Sequence, residues 1–587
     1  MKQFFKTMFA SALGTCLALG LLSLLSILSF ITVIAATESS TYVPKDNSIF
    51  RIELKGSITD RVVENPFATL MGKEAQATSL VDLLEAIKKA QQTPEIKGIY
   101  LDAKMLTAGT SSVDALRRAL LDFKKEGKFI IAYADYFTQK TYYLCSVADE
   151  IFMNPQGALT LGGISSQIIF YTGLAEKVGV KTEVFKVGTY KGAVEPYLLK
   201  KLSDENREQI ASYTGGIWSY MTEQIADARN LKPSDVNAFA DSGASMTAQE
   251  VAVEKGFIDE LKYRSEVEEL LQAKVDQDED KLKTVSLKKI LSLPDPDNDS
   301  ENEVAVLYAE GEITQDIVAS PYSAGQSITE ELAKELIKLQ KDEDVKAVVL
   351  RVNSPGGSAF TSEQIWKEVK KLNALKPVVV SMGDVAASGG YYISCAASKI
   401  IAETNTLTGS IGIFGMFQNV SQLFDKVGLT MDVVNTNQFS DLGDMTRPMR
   451  DDERTLIQGM IERGYETFLS RCAEGRGMTK QQIDAVGQGR VWTGLQAKEK
   501  GLVDDLGGLD KAIETAASLA DLTDYKVENI SSEKDFFEKI MEEQMGDLKL
   551  SLTKQFLGEE LYEQLKQLKL IQSQSGIQAR MPYMLVD

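Results

Sequence analysis

The stretch "GDVAASGGYYISCAASKI" (383–400) places a serine, Ser388, before two glycines and after the apolar run "KPVVVSM". A serine where a strand turns into a helix is well placed to act as a nucleophile: the turn exposes its hydroxyl, and the helix start adds positive potential. The 587-residue chain contains no histidine. That excludes Ser-His-Asp and Cys-His arrangements, and any histidine-ligated metal site, within one chain. The proton from such a serine must go to a lysine, a carboxylate, a tyrosine or an α-amine. Lysine suits the task best, because burial lowers its pKa from about 10.4 toward neutrality and the neutral amine accepts a hydroxyl proton. The segment "FKVGTYKGAVEPY" (185–197) offers Lys191 between Tyr190 and Gly192, with Lys186 and Lys200 equally near. Spacing alone does not choose among them.

A second glycine pair lies in "NSPGGSA" (353–359). Gly356 and Gly357 carry no side chain, so their backbone N–H groups can approach a ligand as an oxyanion site requires; the N–H of Gly389, after Ser388, is another donor. Alone, each feature is ordinary: a serine before glycines caps a helix, and "SPGG" makes a turn.

The elements that must position these residues are written twice. "IKGIYLD" (96–102) matches "VKAVVLR" (345–351), "TYYLCSVADEI" (141–151) matches "GYYISCAASKI" (390–400), and "EKVGVKTEVF" (176–185) matches "DKVGLTMDVV" (425–434), all at one offset of 249 positions. Further out, "LKGSIT" (54–59) answers "AEGEIT" (309–314) and "EKGFIDEL" (254–261) answers "EKGLVDDL" (499–506), with changed loop lengths between. Within each copy, β-branched runs such as "EVAVLYAEG" and "PVVVSMG" alternate with amphipathic patterns such as "SEQIWKEVKKLN". That alternation predicts α/β copies with mainly parallel strands. By the fixed offset Ser388 falls opposite Gln139, Gly389 opposite Lys140, and "NSPGGSA" opposite "KMLTAGT", so the second copy holds a site the first lacks. Lys191 falls opposite Ser440, and each copy would carry half of a dyad.

The expected organisation is an anchor and spacer (1–45), a first α/β copy (46–275), an acidic linker (276–302), a second copy (303–523) and a helical tail (524–587). Residues 8–36 are uncharged and mostly apolar, long enough for a bilayer span of roughly 20 residues, and Lys2 and Lys6 precede them. In the tail, Phe536, Phe537, Ile540, Met541, Met545 and Leu548 share one helical face whose opposite face is acidic, which favours docking over membrane contact. The formal net charge of −20 argues against nucleic acid as a partner, and four cysteines without a CxxC pair indicate neither a zinc ribbon nor a disulfide framework.

The motifs "YKGAVEP", "NSPGGS", "GDVAASGGYY", "TLTGSIG" and "RVWTGLQAKEKGLVDDLGG" resemble the signal peptide peptidase A (protease IV) family in its long, duplicated form. The resemblance spans nearly all of residues 45–520. It implies tandem crotonase/Clp-protease-like domains with a single N-terminal transmembrane helix, Ser388 as nucleophile, Lys191 as general base and acid, and Ser410 as the hydroxyl that holds the lysine. Gly356, Gly357 and Gly389 would surround the oxyanion, with no cofactor and no metal. It further implies a homotetramer in the bacterial inner membrane, catalytic domains in the periplasm, acting on cleaved signal peptides and other short apolar peptides. Two alternatives remain at this level: a crotonase-like acyl-CoA enzyme, which also holds an oxyanion on backbone N–H groups, and an inactive membrane scaffold.

Overall fold

β-Branched runs buried on both faces form parallel strands, because only helices packed above and below can cover them. In the first copy these are β1 (Ser48–Thr59), β2 (Ile96–Thr107), β3 (Phe129–Phe137) and β4 (Glu150–Leu159), hydrogen-bonded in that order and all parallel. The computed structural model describes residues 42–62, 77–243, 249–277, 281–294, 300–315, 327–530 and 576–581, with single positions between 4 and 21. Helix Leu80–Gln92 begins where Ser79 accepts a hydrogen bond from the Asp82 N–H, and it buries Leu83, Ala86, Ile87 and Ala90. Helix Thr110–Lys124 buries Val113, Leu116, Leu120 and Phe123. β5 (Lys181–Val187) leaves this sheet altogether.

The second copy repeats the plan with β6 (Glu303–Glu310), β7 (Val345–Ser354) and β9 (Val378–Ala387), parallel in the order β6-β7-β9. Between β7 and β9 in the chain lies the short β8 (Gly356–Ser358), which also leaves the main sheet. β10 (Leu407–Gly409) pairs with the end of β9, and β11 (Ile413–Asn419) follows it. A last strand, β12 (Gly576–Arg580), comes from the end of the chain.

A third sheet joins the copies, in the order 327–328, 312–313, β8, β12, β11, β5. Its decisive pairing is antiparallel β11 with β5, from Ile413↔Val187 to Asn419↔Lys181. The repeat counterparts of these two strands, 164–170 and 430–436, are irregular apart from an isolated bridge residue, Ser166. Helix Thr110–Lys124 adds further contacts between the copies. Arg118 forms a bidentate pair with Glu403 at 2.6 Å, Asp384 accepts from the Ser112 N–H at 3.0 Å, and Asp114 accepts from Asn405 at 2.8 Å. Buried Arg351 on β7 meets Asp60, just past β1, through two hydrogen bonds of 2.9 and 3.1 Å.

Within the expected linker, Thr284–Val285 pairs with β1 and helix Leu287–Leu291 buries Ile290. The α/β copies are therefore duplicated as the sequence predicts. Among the described residues no helix is long and apolar enough to cross a membrane. The expected anchor at 8–36 lies mostly outside the described residues, and the expected apolar face from Phe536 to Leu548 lies wholly outside them.

Candidate active site

Ser388 sits between the end of β9 and helix Gly389–Ser394, with φ 56° and ψ −113°. An L-residue rarely adopts such a backbone, which costs on the order of 1–3 kcal/mol and persists only where neighbours enforce it. Here they do: the Ser388 N–H donates to the Gly409 carbonyl at 2.8 Å, and the Ser388 carbonyl accepts from the Tyr392 N–H at 2.8 Å. Ser410 has a second strained backbone, φ 50°, held by its N–H donating to the Arg490 carbonyl at 2.7 Å. Neither counterpart in the first copy, Gln139 or Leu161, has a positive φ. Gln139 instead begins helix Gln139–Cys145, and its Oε1 accepts from the N–H groups of Gly162 and Gly163 at 3.2 and 3.0 Å.

Lys191 reaches this point because of the ladder between copies. Val187, at the end of β5, pairs with Ile413, the first residue of β11, so the residues after β5 run alongside those before β11. Lys191 Nζ lies 2.8 Å from Ser388 Oγ, 2.9 Å from the Ser410 carbonyl oxygen and 3.1 Å from Ser410 Oγ. Lys191, Ser388 and Ser410 are all buried. Burial alone pushes the Lys191 amine well below the ordinary lysine range, with no carboxylate opposing it. A neutral amine has two hydrogens and one lone pair, and the three neighbours match that count. Nζ can donate to both Ser410 oxygens, and in the neutral form its lone pair is free to accept from the Ser388 hydroxyl.

The loop 488–490 clamps the lysine and was not singled out by its sequence. The Tyr190 N–H donates to the Gln488 carbonyl at 2.8 Å, and the Gly489 N–H to the Ile411 carbonyl at 2.8 Å. Gly489 has φ 79°, and a Cβ there would fall 2.6 Å from the Lys191 nitrogen, so only glycine fits. Gln209 supports the same turn: its Nε2 donates to the Tyr190 carbonyl at 2.8 Å, and its Oε1 accepts from the Val491 N–H at 3.1 Å. Lys186 lies within β5, opposite Phe414, and Lys200 forms an exposed pair with Glu176 at 2.8 Å; neither joins the cluster. Ser440, opposite Lys191 in the repeat, lies in an exposed turn.

Gly356 and Gly357 form β8 with φ 95° and 152°, beside Ser388. A Cβ on Gly356 would lie 2.6 Å from the Gly389 nitrogen, so the glycines of both motifs meet at one point next to Ser388.

Residues 122–278 and 370–523 match the description "Peptidase family S49", one segment in each copy, and residues 303–408 match "Clp protease". The chain belongs to peptidase family S49. Similar S49 relatives include "Protease 4" of Salmonella typhi, 35% identical over 85% of this chain and 83% of the relative. "Protease 4" of Haemophilus influenzae is 37% identical over 75% of this chain and 73% of its own length. "Serine protease SPPA, chloroplastic" of Arabidopsis thaliana is 34% identical over 81% and 70%. The S49 chain is thus a serine-type protease of duplicated Clp-protease-like α/β domains.

Proposed function

We propose that this protein is a serine–lysine endopeptidase that degrades signal peptides and other short apolar peptides after their release. The observation that carries the reading is the 2.8 Å approach of a buried, neutral-leaning lysine to a strained serine hydroxyl. Lys191 takes the hydroxyl proton as Ser388 Oγ attacks the scissile carbonyl, then delivers it to the leaving amine and activates the deacylating water. Ser410 orients the amine, so its lone pair is aimed before substrate arrives. Gly356, Gly357 and Gly389 offer backbone N–H groups where the oxyanion develops. The substrate lies extended between β8 and β11, whose facing edges are one strand apart, so main-chain hydrogen bonds supply affinity for unfolded peptides of varied sequence.

The uncharged run 8–36 would anchor the chain in the bacterial inner membrane, with both copies in the periplasm. A homotetramer is supported by the repeat itself. The largely irregular counterparts 164–170 and 430–436 expose Ile169, Val433 and Val434, and a neighbouring chain pairing there would repeat the β5–β11 ladder head to tail until a ring closes.

The test is hydrolysis of apolar peptides against pH by the detergent-solubilised chain, alongside Ser388→Ala and Lys191→Ala. Loss in both variants, with a wild-type activity limb well below the pKa of free lysine, is expected. Activity persisting in either would overturn the dyad, and coenzyme A binding without peptide hydrolysis would favour an acyl-CoA enzyme instead.

A further inference from the structure

Lys191 stands on a turn that one side chain of a neighbouring helix ties to the other copy. Gln209 lies in the second turn of helix Asp204–Arg229 and is buried, where an amide is stable only if its polar groups are paired. All of them are. Nε2 donates to the Tyr190 carbonyl at 2.8 Å and to Asn206 Oδ1 at 2.7 Å, while Oε1 accepts from the Val491 N–H at 3.1 Å. The two backbone partners belong to different copies. Tyr190 directly precedes Lys191; Val491 directly follows Arg490, whose carbonyl accepts the Ser410 N–H at 2.7 Å. One amide thus spans the backbone that carries the amine and the backbone that carries its acceptor, Ser410. Its direction is fixed from behind. Asn206 Nδ2 donates to Glu195 Oε2 at 3.0 Å, and the Ser203 N–H donates to the same oxygen at 3.1 Å. With its nitrogen held by that carboxylate, Asn206 can offer Gln209 only an oxygen, so Gln209 must turn its own nitrogen toward Tyr190. Glu195 and Asn206 are buried too, and a Cβ on Gly192 would fall 2.4 Å from Asn206 Nδ2, so the chain after Lys191 presses on the same relay.

We propose that Gln209 is the positioning residue of the base: through the Tyr190 carbonyl and the Val491 N–H it aims the Lys191 amine at Ser388 and keeps water out of the turn. The proposal rests on the serine–lysine reading above, and adds to it a residue of the first copy that lies outside the motifs carrying the family resemblance. Two consequences separate it from a residue that only stabilises the fold. Loosening the turn displaces the amine from the Ser388 hydroxyl, and a misplacement of about 1 Å lowers the rate by about 10²-fold without touching the peptide groove. A loosened turn also admits water to an amine whose pKa is depressed by burial alone, so that pKa climbs back toward the ordinary lysine value.

The experiment measures kcat and KM for an apolar decapeptide against pH, using the detergent-solubilised full chain as wild type, Lys191→Ala, Gln209→Met and Gln209→Glu. Thermal unfolding of each is recorded alongside. Methionine matches glutamine in length and removes all three bonds. Gln209→Met should lower kcat by about 10–100-fold, change KM by less than about two-fold, and move the acidic limb of kcat/KM up by about one pH unit. Glutamate keeps an acceptor for the Val491 N–H but, once ionised, sets an oxygen against the Tyr190 carbonyl. Gln209→Glu should therefore be no faster than Gln209→Met at the pH where wild type is most active. A lower unfolding temperature in Gln209→Met with kcat and the acidic limb unmoved would overturn positioning and leave a structural role. So would a rise in KM alone. If Gln209→Met does not fold, Gln209→Glu carries the test, and wild-type kcat in it at every pH would overturn the proposal. Wild-type kinetics in both Gln209 variants beside an inactive Lys191→Ala would overturn positioning and keep the dyad. If Lys191→Ala cleaves as wild type does, the dyad reading fails and the positioning role fails with it.

Discussion

Replacing Lys191 by methionine should abolish peptidase activity and make the protein more stable at neutral pH. The side chain is fully buried with only serine and backbone partners, so the fold must hold its amine largely uncharged. In the unfolded chain the same amine titrates near 10.4, and keeping it neutral at pH 7 costs up to about 4–5 kcal/mol at about 1.36 kcal/mol per pH unit. Methionine has similar length and carries no such cost. Against that stands the loss of the bonds to Ser388 and Ser410, at about 1 kcal/mol each, with hydroxyls left short of a partner. The net expectation is a gain of about 1–3 kcal/mol at pH 7. The sign of its pH dependence follows from linkage. The folded-state pKa is depressed, so the folded state binds fewer protons than the unfolded one, and wild-type stability rises with pH from the folded pKa up to about 10.4. The advantage of the variant should therefore shrink steadily and vanish near pH 10. Paired thermal unfolding of wild type and Lys191→Met at pH 7, 8.5 and 10 measures it. A variant less stable at pH 7, or a difference that does not change with pH, would refute a lysine held neutral by burial.

Three further outcomes are expected. On the proposed mechanism Gly356→Ala should lower kcat by about 10²–10³-fold, since the new methyl meets the Gly389 nitrogen at 2.6 Å and would displace an N–H beside Ser388; steady-state kinetics on an apolar peptide reads it. Arg351→Met should destabilise the contact between copies by about 3–5 kcal/mol, because it strands the buried Asp60 carboxylate, and Asp60→Asn added to it should recover much of the loss in denaturant unfolding. Asp114, pushed up to about 7 by burial, binds an extra proton in the folded state, so its contribution is complete below about pH 4 and is lost as pH rises through about 7; Asp114→Asn should flatten that part of a stability–pH curve.

The strand-to-helix junction at Ser388 and the doubling of the fold were legible because both are written in short contiguous motifs. Ser388 lies in a glycine-marked junction after an apolar run, and ungapped matches at a fixed offset expose the repeat. The lysine was not legible from spacing. Lys186, Lys191 and Lys200 sit in one short window, and what separates them is tertiary: the β5–β11 register, the Gly489 clamp and Gln209. Family resemblance pointed to Lys191 where pattern could not. β12 gave too little signal to find: "GIQAR" alternates apolar and polar residues over only five positions, and it pairs only with strands more than 150 positions away. The repeat also misleads in one place: "TEVF" and "MDVV" align, yet only the first forms a strand, because only it finds β11 as a neighbour within the chain.

Lys191 and Ser388 are 197 positions apart. At about 5–20 residues per second, synthesis delivers the serine roughly 10–40 seconds after the lysine. Until β11 docks on β5, the Ser388 hydroxyl lacks the Lys191 amine as a neighbour, and a half-made chain holds only part of the cluster. On the serine–lysine reading proposed above, dividing the pair across a duplication acts as a clock: proteolytic power switches on only once the last-made copy has folded against the first.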